Sequence, residues 1–123
     1  MNILLVEDDA ALRSAITKAF ESQGWRVTGV DRADAALAAI AKTPFDAVIC
    51  DFILPAKEGT SLYEAIRDAE PRLADRVLFV TGWGTDSNAR KLLEHTGRPV
   101  LQKPLDLPEL IKTVRQLAGG PAK

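Results

Sequence analysis

The 123 residues carry 16 Lys and Arg against 17 Asp and Glu, a formal net charge of −1 in a chain near the modal size of one domain, enough for one hydrophobic core. Acids and bases are interspersed, which leaves neither the basic stripe of a nucleic-acid binder nor a polybasic membrane patch. The single Cys50 excludes an internal disulfide, and no apolar run approaches the roughly 20 residues of a membrane span.

Met1 leads straight into Ile3-Leu4-Leu5-Val6 with no cationic leader or small-residue cleavage site, so no secretory signal is expected and the compartment is taken as cytoplasmic. Residues 2–6 read as the first strand, and Leu12, Ile16, Ala19 and Phe20 form one helical stripe that Gly24 ends. A second strand covers residues 26–30, with Leu37, Ile40 and Ala41 marking the next helix. A third strand over residues 47–50 precedes a helix carrying Leu62, Ala65, Ile66 and Ala69. The fourth strand spans residues 77–81, followed by a helix with Ala89, Leu92 and Leu93 ended by Gly97. The fifth spans residues 100–102 and leads to Leu110, Ile111, Val114 and Leu117. Short β-branched runs alternating with helical segments predict an α/β fold of five βα units, and strands this apolar belong in a parallel sheet covered on both faces. Residues 1–118 form the expected domain. Residues 119–123, with two glycines and a proline, read as a flexible tail or the start of a linker, with no output module following.

Ligands of open parallel sheets collect beyond the carboxyl ends of the strands, and those ends are polar here. Strand one ends in Glu7-Asp8-Asp9, strand three in Asp51, strand four in Thr81-Gly82 and strand five in Lys103-Pro104. Carboxylates from two strands converging with one lysine make a hard, oxygen-rich site that suits Mg²⁺, and a phosphoryl group is the natural third component.

These residues resemble the receiver domain of response regulators, from strand one through the last helix. Val6-Glu7-Asp8-Asp9 followed by Arg13 is similar to the family's acidic opening. Asp51 heads Asp-Phe-Ile-Leu-Pro-Ala-Lys-Glu-Gly, which resembles its D-x-x-x-P-x-x-x-G segment, completed by Pro55 and Gly59. Thr81-Gly82 and Lys103-Pro104 match the hydroxyl-small pair and the lysine-proline pair after strands four and five.

The resemblance implies a flavodoxin-like doubly wound sheet of order 2-1-3-4-5 and phosphorylation of Asp51 by a sensor histidine kinase or a histidine phosphotransfer protein. It implies Mg²⁺ held by Asp8 and Asp51 directly, by Glu7 through water and by the Ile53 carbonyl. Lys103 and Thr81 would contact the phosphoryl group, Gly82 would leave room for the donor, and the bond before Pro104 would be cis. The output is expected through protein contact with a target the sequence does not identify, without direct nucleic-acid or membrane binding. The oligomeric state stays open, a dimer among the options. The domain is expected to assist its own phosphorylation and dephosphorylation without being an enzyme in its own right.

Three positions depart from the usual pattern. Val100 stands where an aromatic switch residue is common, and a β-branched valine has no ring to swing. Ile53 and Trp83 place apolar bulk where polar residues often flank the pocket. Simpler roles are also open: Asp8 or Asp9 could cap the helix beginning near Ala10, Cys50 reads as core, His95 as an exposed residue favourable to a helix C-terminus, and Trp25 as packing. Trp83 is balanced between packing and function. Two other functions compete. One is a small-molecule phosphohydrolase or phosphotransferase using an aspartyl-phosphate, although Ile53 stands where such enzymes carry a second acid. The other is a passive binding module, although no glycine-rich phosphate loop follows strand one.

Overall fold

The computed structural model describes residues 1–51, 58–82, 91 and 94–119. Its elements in chain order are β1 (Asn2–Val6), α1 (Ala10–Glu21), β2 (Arg26–Val30), α2 (Ala33–Lys42), β3 (Ala47–Asp51), α3 (Glu58–Ala69), α4 (Pro71–Ala74), β4 (Val77–Thr81), β5 (Val100–Gln102) and α5 (Leu107–Gly119). The strands form one sheet of order β2-β1-β3-β4-β5 with every pairing parallel, the expected doubly wound arrangement.

Alternation along the central strands divides the core into two layers, because successive side chains point to opposite faces. Leu4, Val6, Val48, Cys50, Val77 and Phe79 face α2, α3 and α4, where Ala36, Ile40, Leu62, Tyr63 and Ile66 meet them. Ile3, Leu5, Ile49, Leu78 and Val80 face α1 and α5, meeting Ile16, Phe20, Leu110 and Val114. Each fully buried aliphatic or aromatic side chain contributes about 2 kcal/mol. Trp25 belongs to the second layer as a packing residue, its ring 5.3 Å from that of Phe20 and beneath the Arg115 guanidinium at 5.6 Å. Cys50 is buried in the first layer, on the face away from Asp51, and burial pushes its thiol well above the ordinary range.

Local sequence sets the helix ends. The Asp9 side chain accepts from the Ala11 and Leu12 amides and caps α1, while Asp106 accepts from the Glu109 amide at the start of α5. Gly24 and Gly97, at φ +82° and +71°, supply the left-handed turns after their helical segments.

Several expectations need correction. Ala41 and Ala69 are exposed, and the buried places of α2 and α3 go to Ala36 and Tyr63 instead. Asp51 closes β3 as its last residue, and Gly119 closes α5 where the tail was expected to begin. The short α4, opened by Pro71, lies in a stretch assigned to no element from sequence. Ala89, Leu92, Leu93 and residues 120–123 lie outside the described residues; Lys91 and Glu94 to Thr96 are helical, and His95 is exposed as expected. No described helix is long and apolar enough to cross a membrane.

Candidate acidic functional site

The carboxyl ends of β1, β3, β4 and β5 bring the polar residues together at one edge of the sheet. Register explains this: Val6 pairs with Cys50, Asp51 with Val80 and Thr81 with Gln102, so the residues just beyond them are neighbours. Glu7 and Asp51 are each only 2% exposed. The Lys103 ammonium lies 3.1 Å from Asp51 Oδ2 and 3.3 Å from Glu7 Oε1, bridging the two acids. Asp8 is exposed, and one carboxylate oxygen from each of Glu7, Asp8 and Asp51 falls within a 4.8 Å cluster.

Three acids converging on one lysine leave the pocket rich in negative charge. Burial pushes the Glu7 carboxyl up to about 7; the Asp9 amide donating to it opposes that rise, and its hydrogen bond with Asp51 together with the Asp51 charge reinforces it. Burial alone would lower the Lys103 ammonium, but the hydrogen bond and charge of Asp51, with Glu7 behind it, outweigh that and raise it. The lysine is therefore a permanent cation. The donor set fits a hard divalent ion such as Mg²⁺: every side-chain ligand is a carboxylate oxygen, and exposed Asp8 leaves one side open to water.

Thr81, at the end of β4, is 7% exposed. Its carbonyl accepts from the Lys103 amide at 2.7 Å, which carries β4–β5 pairing to the lysine, and the Lys103–Pro104 peptide is cis. Gly82 follows directly. Val100 presents its side chain outward at 38% exposure on edge strand β5. Ile53, Pro55 and Trp83 lie outside the described residues.

Capping had been an open alternative for both Asp8 and Asp9, and the structure gives it to Asp9. Asp9 is occupied with capping α1, and its own amide holds Glu7 Oε2 at 3.0 Å, so Asp8 is the one left facing the cluster. It also adds a support that sequence reasoning named only as part of a motif. Arg13 Nη1 donates to the Glu7 carbonyl at 2.7 Å, and its stem crosses β2 over Gly29, where an added Cβ would stand 3.2 Å from Arg13 Cδ. The signal was a glycine inside a strand, which marks a close approach.

Comparison with known proteins agrees with this geometry. The family model described as response regulator receiver domain matches residues 3–115. The response regulator protein FleR of Pseudomonas aeruginosa is 35% identical over 118 residues, which span 96% of this chain but only 24% of FleR. The response regulator receiver protein CpdR of Brucella abortus is 29% identical over 94% of both chains. Among solved structures, a response regulator receiver domain protein from Methanospirillum hungatei JF-1 superposes with a TM-score of 0.85 at 25% identity, covering 95% of this chain and 92% of its own.

Proposed function

Since the chain belongs to the response regulator receiver family, we propose that it is a Mg²⁺-dependent switch of a two-component or phosphorelay pathway, phosphorylated on Asp51. The observation that carries the reading is the Lys103 ammonium held between Asp51 and Glu7 in a buried acidic pocket.

Asp51 is the nucleophile: an oxygen of its carboxylate attacks the phosphorus of a phosphohistidine on a sensor kinase or histidine phosphotransfer protein. The oxygen–phosphorus bond forms as the phosphorus–nitrogen bond breaks, and the departing imidazole takes a proton from water. Lys103 turns its charge from the carboxylates to the incoming phosphoryl oxygens, a positioning and electrostatic role with no proton transfer. Thr81 donates its hydroxyl to the same group, and Gly82 leaves the approach clear. Asp8 and Asp51 directly, Glu7 through water and the Ile53 carbonyl would hold Mg²⁺, which would supply positive charge to the transferring phosphoryl group. Arg13 and Asp9 steady Glu7 from outside the pocket. The signal passes on by protein contact in the cytoplasm, with Val100 in place of a swinging ring.

The test is incubation with acetyl phosphate and Mg²⁺ followed by intact mass. The parent should gain one phosphoryl group and Asp51→Asn none; equal labelling of the two would remove Asp51 from the mechanism.

A further inference from the structure

At the end of the sheet opposite the acidic pocket, an open cleft of about 420 Å³ lies between the end of α2 and α4. Its floor is apolar: Ile40 of α2, Phe45 at the entry to β3, and Leu73 of α4, all continuous with the core layer on that face. Its rim is basic. Lys42 ends α2, Arg72 lies in α4 and Arg76 directly precedes β4, against the one acid Glu70. Three cations less one acid give a local charge of +2 on a chain whose formal net charge is −1. None of the three cations is in an ion pair among the described residues.

Apolar floor and basic rim together call for a ligand with an apolar group flanked by negative charge. Shape decides its size. Small-molecule pockets bury most of their ligand's surface, whereas Ala41, Lys42, Pro44, Glu70 and Arg72 at this rim are exposed. A free small anion would stay largely in water, while a peptide laid across the rim would bury one side chain and bring carboxylates to three separate cations.

We propose that this cleft docks an acidic peptide segment of a partner protein, with an aliphatic or aromatic side chain between Ile40, Phe45 and Leu73 and flanking carboxylates on Lys42, Arg72 and Arg76. A buried apolar anchor within a charged rim is the usual division between affinity and steering. Because the cleft sits at the amino ends of the strands, its occupant leaves the approach to Asp51 open.

The test is selection of a random-peptide display library on the full chain, with counter-selection on the Lys42→Glu/Arg72→Glu double variant. Both positions are exposed, and equal melting temperatures of parent and variant establish that the fold is kept. Enriched peptides should carry an apolar residue flanked by acids. Titrated into ¹⁵N-labelled protein, the leading one should move the Thr43, Phe45, Leu73 and Arg76 amides and bind the variant about tenfold more weakly, with Arg72→Gln in between. Failure to enrich acidic peptides, equal binding to the variant, or shifts centred on another face would overturn the proposal. So would inorganic phosphate or benzoate moving the same amides at comparable concentrations, which would make this a small-anion site. A mixing experiment in which the protein saturates the cleft with a second copy of itself, seen as concentration-dependent dimerisation lost in the variant, would also overturn it.

Discussion

Glu7→Gln tests the electrostatics of the acidic pocket without altering its shape. The carboxyl is 2% exposed, and its pKa stands near 7 against an ordinary 4.5. A carboxyl whose folded pKa exceeds its unfolded value holds its proton more tightly when folded. The contribution of Glu7 to the stability of the metal-free protein is therefore greatest below pH 4.5, falls as pH rises towards 7, and is level above. Lys103 does not tilt this window: its raised pKa adds stability that is constant at any pH well below 10.5 and is lost only above it. The difference for Glu7 corresponds to roughly 3 kcal/mol. For a chain of this length each kcal/mol moves the melting temperature by roughly 4 °C, so thermal melts in EDTA should fall by about 10 °C between pH 5 and pH 8. The amide of Glu7→Gln keeps an oxygen for the Asp9 amide and has no proton to lose, so subtracting its profile cancels the titrating groups outside the pocket. Parallel profiles for parent and variant would refute the placement of a strained carboxyl at Glu7.

Asp8→Ala should weaken Mg²⁺ binding while leaving the metal-free melting temperature unchanged or higher, whereas Asp9→Ala should lose about 1 kcal/mol from the α1 cap; isothermal titration and urea unfolding separate the two. Gly29→Ala should disturb Arg13 and its bond to the Glu7 carbonyl, worth about 1 kcal/mol, and should be less harmful in an Arg13→Ala background. Additive losses in urea would show that the two residues do not interact. Ile53→Asn and Trp83→Glu should each shorten the phospho-aspartate lifetime by roughly tenfold by giving water an orienting contact, read by loss of radiolabelled phosphate. An unchanged rate in the double variant would dismiss the idea of an apolar gate.

The inner strands β1 and β4 were legible because strands covered on both faces write themselves as continuous apolar runs, while the exposed edge strands β2 and β5 showed only as short runs holding β-branched residues; all four span the residues read from sequence. Helix faces were less so. Alanine is small enough to sit on either side of a helix, which is why Ala41 and Ala69 were placed inward when Ala36 and Tyr63 are the buried ones. A single turn such as α4 is too short to show a period, although Pro71 at its first position fits a helix start. At the site, residue types and strand ends identified Glu7, Asp8, Asp51, Thr81 and Lys103 as neighbours. Residue types alone left capping open to either Asp8 or Asp9, because a one-residue shift of α1 would exchange them; only the resemblance put Asp8 with the other acids. The Arg13 bond was hidden for another reason: it joins a helix side chain to the Glu7 carbonyl just beyond β1, across the space over Gly29.

The Lys103 bridge has a bearing on how the site responds to salt. With all four groups ionised, Glu7, Asp8, Asp51 and Lys103 sum to −2, and two of the three carboxylates lie beneath the surface. Dissolved monovalent ions weaken fields between charges that water already surrounds, over a Debye length of about 8 Å at physiological ionic strength. They reach Asp8 but do little for Glu7 against Asp51. The repulsion of those two acids that Lys103 leaves unbalanced is thus insulated from the ionic strength of the medium, and a further cation or proton must enter the pocket to relieve it.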